Sequence, residues 1–413
     1  MRKEVVVTGR GLVTPLGAGL EQNEDALRQG RSGITFDPEW KEMGLESNIC
    51  GQVNQNIDCP LLNKKNRRYM SQNTLYGIVA AHEAITEAGL TVEDIKNMRV
   101  AIVLGHGGSA QKITHGAAKL VEETGRTKIV SPFIVPKAMT SSAVANLSLI
   151  LGVSGESYAI SSACASGSHA IMIAARLIQA DLYDMVITGG TEEVSWVQAS
   201  GFDAMRAISR SYNDTPKKAS RPFDIDRDGF VIAEGAGILV LESMEHAKSR
   251  NARAIVKISG TAANSNTTDM VVPNAEASAK VMESSLKDAN LRPSDIDYIN
   301  THGTSTPVGD IIEIAAIKQI FYNENKNVAI NSTKSMTGHM IGATGAIEII
   351  FCTQMIDKNF ICPTINLDNQ EPETEWANLV KKTITNVKIR HALSNSFGFG
   401  GTNSSVIVSA VED

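Results

Sequence analysis

Three stretches in the first half of this chain are echoed, in the same order, in the second half. AITEAGLTVEDI (84–95) pairs with SLKDANLRPSDI (285–296), and each runs toward a strand that ends near a His-Gly pair, His106-Gly107 and His302-Gly303. GSHAIMIAARLIQADLYDMVITG (167–189) tracks GAIEIIFCTQMIDKNFICPTIN (345–366) as helix, polar turn and apolar strand. EGAGILVL (234–241) matches FGGTNSSVIV (399–408), a glycine-rich segment entering a strand. Three ordered echoes point to an ancient duplication rather than a solenoid of short repeats, and they divide the chain into halves 1–251 and 252–413. No low-complexity linker separates the halves, so they are expected to pack as one rigid body.

Local patterns name the fold class. VVVTG (5–9) and VAIVLG (100–105) are β-branched runs ending in glycine, as buried strands do. Between them, residues 73–88 set Leu75, Ile78, Val79, His82 and Ile85 on one helical face. Strand and helix alternate throughout, which predicts an α/β fold with a buried sheet. With 42% apolar and 20% charged residues, the 413-residue chain has a globular balance. Its 39 basic residues against 45 acidic ones give a net charge of −6, which disfavours nucleic acid as a partner. No apolar run is long enough to cross a bilayer, and VVV alone is too short for a secretory signal. No membrane association and a cytoplasmic location are expected.

The five cysteines, Cys50, Cys59, Cys164, Cys352 and Cys362, form no CxxC pair, and their odd number argues against a disulfide framework. Cys164 alone has a distinctive setting, ISSACASGSHAIMIAARLIQA, in which an apolar run meets a helix at a turn of small residues. A helix N-terminus beneath the sulfur should favour the thiolate, and Ala163, Ala165, Ser166 and Gly167 leave room for a substrate. Most free cysteines are inert core residues, and the context alone leaves nucleophile and core residue in balance. Two histidines stand in comparable loops, His302 in NTHGTSTPVGD (300–310) and His339 in STKSMTGHMIGATG (332–345). Each taken alone reads more readily as structural than catalytic.

Taken together, SSACASGSHA around Cys164, RPFDIDRDGFVIAEGAG (221–237), NTHGTSTPVGD, STKSMTGH and SNSFGFGGTN (394–403) resemble the β-ketoacyl-acyl-carrier-protein synthases over the whole chain. These are the condensing enzymes of fatty-acid synthesis, in the thiolase-like superfamily. RSGITF (31–36), SYNDTP (211–216), DMVVP (269–273) and Gly108 resemble the synthase I branch, whereas EGAG (234–237) looks more like synthase II. His106 departs from the small residue expected at its position.

The resemblance implies a five-layered αβαβα fold of two duplicated halves, and decarboxylative condensation of an acyl-enzyme with malonyl-acyl-carrier protein. It makes Cys164 the acylated nucleophile, His302 and His339 the histidine pair, and Lys334 the active-site lysine, expected near Glu313. The N–H groups of Cys164 and Phe399 would form the oxyanion hole. Phe397 and Phe399 would belong to a gate loop, Thr304 and Thr306 would bond the phosphopantetheine arm, and Gly108 would line the acyl pocket. It also implies a homodimer, with 131–142 at the interface and Met139 lining the partner's acyl pocket. Acyl-carrier protein would dock near Lys65, Arg68, Lys128 and Arg206. No cofactor is needed for the chemistry, since phosphopantetheine arrives on the carrier; a structural Na or K ion would be held by Asn300, Thr301, Glu348, Ser394 and Asn395, unless these residues simply bond one another.

Rival readings are weaker. A degradative thiolase would carry a second cysteine where this chain has GFGGTN, and a coenzyme A-dependent starter enzyme would carry Asn in place of His339. A non-catalytic chain-length subunit would lack Cys164, and the order Cys-His-Lys-His disfavours a cysteine hydrolase. A ketosynthase of a polyketide or specialised acyl pathway is the remaining alternative.

Overall fold

The computed structural model describes residues 2–108 and 110–411. Ten strands make up the main sheet path: β1 (Val5–Thr14), β2 (Val100–Gly105), β3 (Ser157–Ile160), β4 (Met185–Glu192), β5 (Gly235–Ser243), β6 (Val256–Ser265), β7 (Tyr298–Asn300), β8 (Ala329–Asn331), β9 (His391–Gly398) and β10 (Thr402–Ala410). Their spatial order is β8-β7-β9-β10-β6-β1-β5-β4-β2-β3. Read outward from the centre, both sides repeat one plan. In the first, β1 runs antiparallel to β5 and β5 to β4, while β4, β2 and β3 are parallel. In the second, β6 runs antiparallel to β10 and β10 to β9, while β9, β7 and β8 are parallel. The seam between them is short: Val6 faces Lys257 and Val7 faces Val256.

Five helices give the layers: α1 (Gln72–Glu87), α2 (Ser166–Gln179), α3 (Ala275–Ala289), α4 (Gly309–Asn325) and α5 (Ile341–Lys358). Helix α1 covers β1, β5 and β4 from outside, and α3 with α4 covers the other half. Helices α2 and α5 lie between the two half-sheets and against each other, so the stack is αβαβα. This central position explains the composition of α5. Every residue from Ile341 to Ile356 is buried, the polar Thr344, Glu348, Thr353 and Gln354 included.

Helix α1 differs from its expected face. Ile78 and Ile85 are buried as expected, but Leu75, Val79 and His82 are only half-buried, and Tyr76, Gly77, Ala80, Ala81 and Ala84 are buried beside the two isoleucines. The reason lies in β1, where a Cβ on Gly9 or Gly11 would sit 2.0 Å from Ala84 O or 1.9 Å from Ala80 O. Helix backbone and strand touch directly, so small residues rather than the largest apolar ones mark the contact face. The second echo also needs correction. The strand following α5 (Phe360–Ile361) is no counterpart of β4; it pairs with Ile384–Thr385 in a separate two-stranded sheet, and β9 takes that place in the main sheet. No helix among the described residues is long and apolar enough to cross a membrane.

Candidate active site

The sheet ends bring the echoed motifs to one cavity of about 760 Å³, lined by Cys164, His302, His339, Thr304, Thr306, Gly108, Phe397 and Phe399 among others. Cys164 sits between β3 and α2, as the sequence predicts. Ala163 takes a left-handed φ of 49°, and Ser166 Oγ locks the turn by donating to Ala163 O (2.6 Å) and accepting from Ser162 N (2.9 Å). Strand β9 approaches so closely that a Cβ on Gly398 would lie 3.1 Å from Cys164 N. The backbone N–H groups of Phe399 and Cys164 both reach the sulfur.

The expected thiolate is not what this site favours at rest. Burial pushes the Cys164 thiol up to about 11, and the Phe399 N–H, Lys334 and the Cys164 N–H only partly offset it. Sequence context displays the helix N-terminus but not the desolvation that outweighs it.

His302 follows β7 and His339 precedes α5. Reactive atoms of Cys164, His302 and His339 lie within 4.8 Å of one another, and the two imidazoles meet edge to face at 5.3 Å. Burial first, and then the neighbouring Lys334, holds both histidines well below the usual imidazole range, so both are neutral at pH 7. His339 Nδ1 lies 3.0 Å from Thr344 Oγ1. Its Nε2 is buried and has no partner among the described residues. A Thr344 hydroxyl that donates to Nδ1 would leave the proton on Nε2, free to donate into the cavity. A metal ion could span the same three atoms, but burial holds Cys164 as the thiol, the form that binds metal poorly.

Lys334 is fully buried and close enough to the expected Glu313 to act on it by charge, but its ion-pair partner is Glu348. Its Nζ donates to both carboxylate oxygens of Glu348 at 2.8 Å. Glu313 instead accepts from His302 N (2.9 Å), Gly303 N (2.7 Å) and Asn395 Nδ2 (3.2 Å), so it shapes the loop that presents His302. Burial raises Glu313 to about 7, against the opposing pull of those N–H donors and Lys334. The two glutamates face different elements of the site, and a one-dimensional sequence cannot tell which one the lysine reaches.

Thr304 and Thr306 place their hydroxyl oxygens 3.0 Å apart on the cavity wall. Phe397 is buried with its ring 5.9 Å from His302. Phe399, half-exposed, begins an aromatic file that runs through Phe202 and Phe230 to His339, with ring centroids 6.2, 5.3 and 5.5 Å apart. Sequence reasoning missed Phe202 and Phe230; Phe230 stands in the quoted RPFDIDRDGFVIAEGAG, which was the available signal. It also missed Glu192, whose buried carboxylate accepts from Gly107 N (2.9 Å), Gly108 N (3.2 Å) and Gly342 N (3.0 Å).

Other expected site residues lie elsewhere. Met139 is exposed at the end of a short helix (Ile134–Ala138) and does not line this chain's cavity. Arg206 lines the cavity and is exposed, whereas Lys65, Arg68 and Lys128 are exposed outside it. Arg68 stacks over Phe133 at 5.4 Å, tying the basic run to the segment 131–142. Of the expected cation ligands, Asn300 Oδ1, Ser394 Oγ and Asn395 Oδ1 are buried without partners among the described residues. Asn300 and Ser394 face each other in register, so these orphaned oxygens fit a monovalent cation. Glu348 is engaged by Lys334, whereas Thr301 Oγ1 donates its hydrogen to Asn331 O and keeps its oxygen lone pairs for an ion.

Comparison with known proteins decides the family. Residues 2–247 match the profile described as Beta-ketoacyl synthase, N-terminal domain, and residues 253–368 match Beta-ketoacyl synthase, C-terminal domain. The chain belongs to the β-ketoacyl synthase family. It is 40% identical over 412 residues to 3-oxoacyl-(acyl-carrier-protein) synthase 1 of Escherichia coli (strain K12), covering 100% of both chains. It is 38% identical over 418 residues to 3-oxoacyl-(acyl-carrier-protein) synthase 2 of Vibrio harveyi, again covering 100% of both. Among solved structures, a Beta-ketoacyl synthase from Burkholderia phymatum STM815 superposes with a TM-score of 0.93 at 33% identity, covering 99% of this chain and 100% of that one. A type II PKS ketosynthase, solved in complex with its acyl-carrier protein, gives 0.91 at 31% identity with full coverage of both chains. This β-ketoacyl synthase therefore shares its full length with relatives of both numbered branches, in keeping with the mixed signature of Gly108 and EGAG.

Proposed function

We propose that the protein catalyses the elongation step of fatty-acid synthesis, joining an acyl group on Cys164 to malonyl-acyl-carrier protein with loss of carbon dioxide. The observation that carries this reading is the meeting of one thiol, two neutral imidazoles and two backbone N–H groups in one cavity. The named function of the full-length relatives supports it over a polyketide role.

The proposed chemistry has two halves. In the first, the Cys164 sulfur attacks an acyl thioester while its proton passes to a nearby neutral imidazole. Burial and Lys334 oppose a lasting imidazolium, so this transfer accompanies bond formation and the proton continues to the departing pantetheine thiol. The Cys164 and Phe399 N–H groups stabilise the tetrahedral oxyanion. In the second half, His302 and His339 donate hydrogen bonds to the malonyl thioester oxygen as the C–C bond to the carboxylate breaks. Carbon dioxide leaves and its bonding electrons form the enolate. The enolate carbon attacks acyl-Cys164, the C–S bond breaks, the thiolate leaves, and the cysteine sulfur takes up one proton from water.

In this reading the N-terminal half, 1–251, supplies the nucleophile and the C-terminal half, 252–413, supplies the histidines. Thr304 and Thr306 hold the pantetheine arm, Phe397 and Phe399 gate it, and Gly108 opens the acyl pocket. The orphaned oxygens of Asn300, Ser394 and Asn395 would hold a structural Na or K ion with no part in bond making. The working unit is a cytoplasmic homodimer, with exposed Met139 reaching the partner's pocket, and the carrier docks on Lys65, Arg68, Lys128 and Arg206. Incubation with acyl- and malonyl-carrier proteins of graded chain length should yield products two carbons longer by mass spectrometry. Cys164→Ser should lose the single acyl adduct. An unshortened adduct pool with no β-ketoacyl product would overturn the reading.

A further inference from the structure

A second cleft, of about 660 Å³, opens on the far side of the turn that carries Lys334. Its lining is polar and carries Arg31, Lys217, Lys218 and Lys381 against a single acid, Asp368. None of the four cations forms an ion pair among the described residues, whereas Asp368 is engaged by Arg221 at 3.4 Å. Four unpaired positive charges around one concavity set a locally positive field in a chain of net charge −6. Two segments that the condensation chemistry does not use, RSGITF and SYNDTP, start or end at this cleft. The helix Leu20–Gln29 reaches the cleft through Ala26 and its C-cap Gly30, the negative end of its dipole, so any anion affinity must come from groups other than this helix.

The cleft walls are bonded to the back of the active-site turn. Gly33 N donates to Met336 O (2.9 Å), Ile365 N to Ser335 Oγ (3.1 Å) and Ser220 Oγ to Lys334 O (2.7 Å). Asn366 Nδ2 donates to both Lys217 O (2.8 Å) and Ser220 O (3.0 Å), linking the lysine wall to the Lys334 carbonyl. We propose that this cleft binds a small phosphorylated molecule carrying two or more phosphate groups, and that its occupancy is transmitted through these bonds to the turn between Lys334 and His339. The volume lies within the range of small-ligand sites, and clustered Lys and Arg side chains recognise phosphate oxygens by charge-assisted hydrogen bonds.

The test uses the purified full-length protein and inorganic tripolyphosphate as the probe, with ATP as a second probe. Calorimetry should show saturable binding, one site per chain, that weakens as salt is added. Lys217→Glu/Lys218→Glu should lower the affinity at least tenfold, and the milder Lys217→Gln/Lys218→Gln should lower it severalfold. Lys65→Glu/Arg68→Glu, which reverses an equally basic surface run, should bind the probe as wild type does. Saturating tripolyphosphate should change decarboxylation of a short malonyl thioester at least twofold in wild type and not in the Lys217/Lys218 variants. Only this last readout rests on the condensing-enzyme reading; the calorimetry stands apart from it. Absent binding, binding indifferent to the lysines, or an unchanged rate at saturation would each overturn the proposal.

Discussion

The ends of β2 and β7 occupy matching places in the two half-sheets, and each leads into a His-Gly pair. They have been put to different uses. After β7, His302 lines the cavity within 4.8 Å of Cys164 and His339. After β2, His106 turns inward: its Nδ1 lies 2.9 Å from Thr191 O and 3.6 Å from Glu192, and the ring does not line the cavity. Both loops are nonetheless held alike, since Glu313 accepts the N–H groups of His302 and Gly303 while Glu192 accepts those of Gly107 and Gly108. In both cases burial raises the carboxyl pKa against the pull of those donors. A duplicated frame thus provides two loops clamped by buried carboxylates, one presenting an imidazole and the other a glycine-lined wall.

The largest expected contrast is between the histidines. His302→Ala should lower malonyl decarboxylation by about 10²–10³-fold, the scale seen when a donor is removed from an oxyanion site. His106→Ala should keep kcat within severalfold and instead lower the melting temperature, because Thr191 O loses a buried partner worth about 1–3 kcal/mol. Equal kinetic losses in both variants would erase the distinction between the loops.

The carboxylates sharpen it further. With a pKa of about 7, Glu313 is protonated below neutrality and ionised above it. The ionised form accepts its backbone donors better, so decarboxylation should rise through pH 7. Glu313→Gln, fixed in a neutral form, should remove that inflection and cost about tenfold above pH 7. Glu192→Gln should leave the inflection in place. Persistence of the inflection in Glu313→Gln would assign it to another group.

A smaller effect concerns the wall itself. A Cβ on Gly108 would lie 2.7 Å from Gln198 Nε2, the movable end of a side chain, so the loop should tolerate substitution while the cavity narrows. Gly108→Phe should reduce acylation by long-chain donors severalfold and spare short ones, measured by intact-protein mass spectrometry. Separately, alkylation of Cys164 by iodoacetamide should keep accelerating from pH 7 to pH 10, because the reactive thiolate forms only toward about 11. A plateau near neutrality would show that the expected helix-terminus activation prevails after all.

Sequence legibility followed the same division. Cys164, His302 and His339 stood out because reactive side chains in loops of small residues are visible locally. The order of strands was partly legible from the echoes, but Phe360–Ile361 imitated a sheet strand, since an apolar run does not state its pairing partner. Burial and long-range pairing were invisible: neither the raised Cys164 thiol nor the choice of Glu348 over Glu313 by Lys334 can be read from spacing. Glu192 and Phe202 become site residues only when β4 and its following segment fold against the cavity.

The central claim is that the nucleophile and the histidine pair serve separable half-reactions. Release of carbon dioxide from malonyl-carrier protein should be measured for Cys164→Gln, His339→Ala and the combined variant. Cys164→Gln fills the acyl position with a neutral side chain and leaves His302 and His339 in place, so it should decarboxylate at or above the wild-type rate. His339→Ala should decarboxylate at least 10²-fold more slowly while still accepting an acyl group on Cys164. The combined variant should be as slow as His339→Ala. Wild-type decarboxylation by His339→Ala, or its loss in Cys164→Gln, would contradict the division of labour.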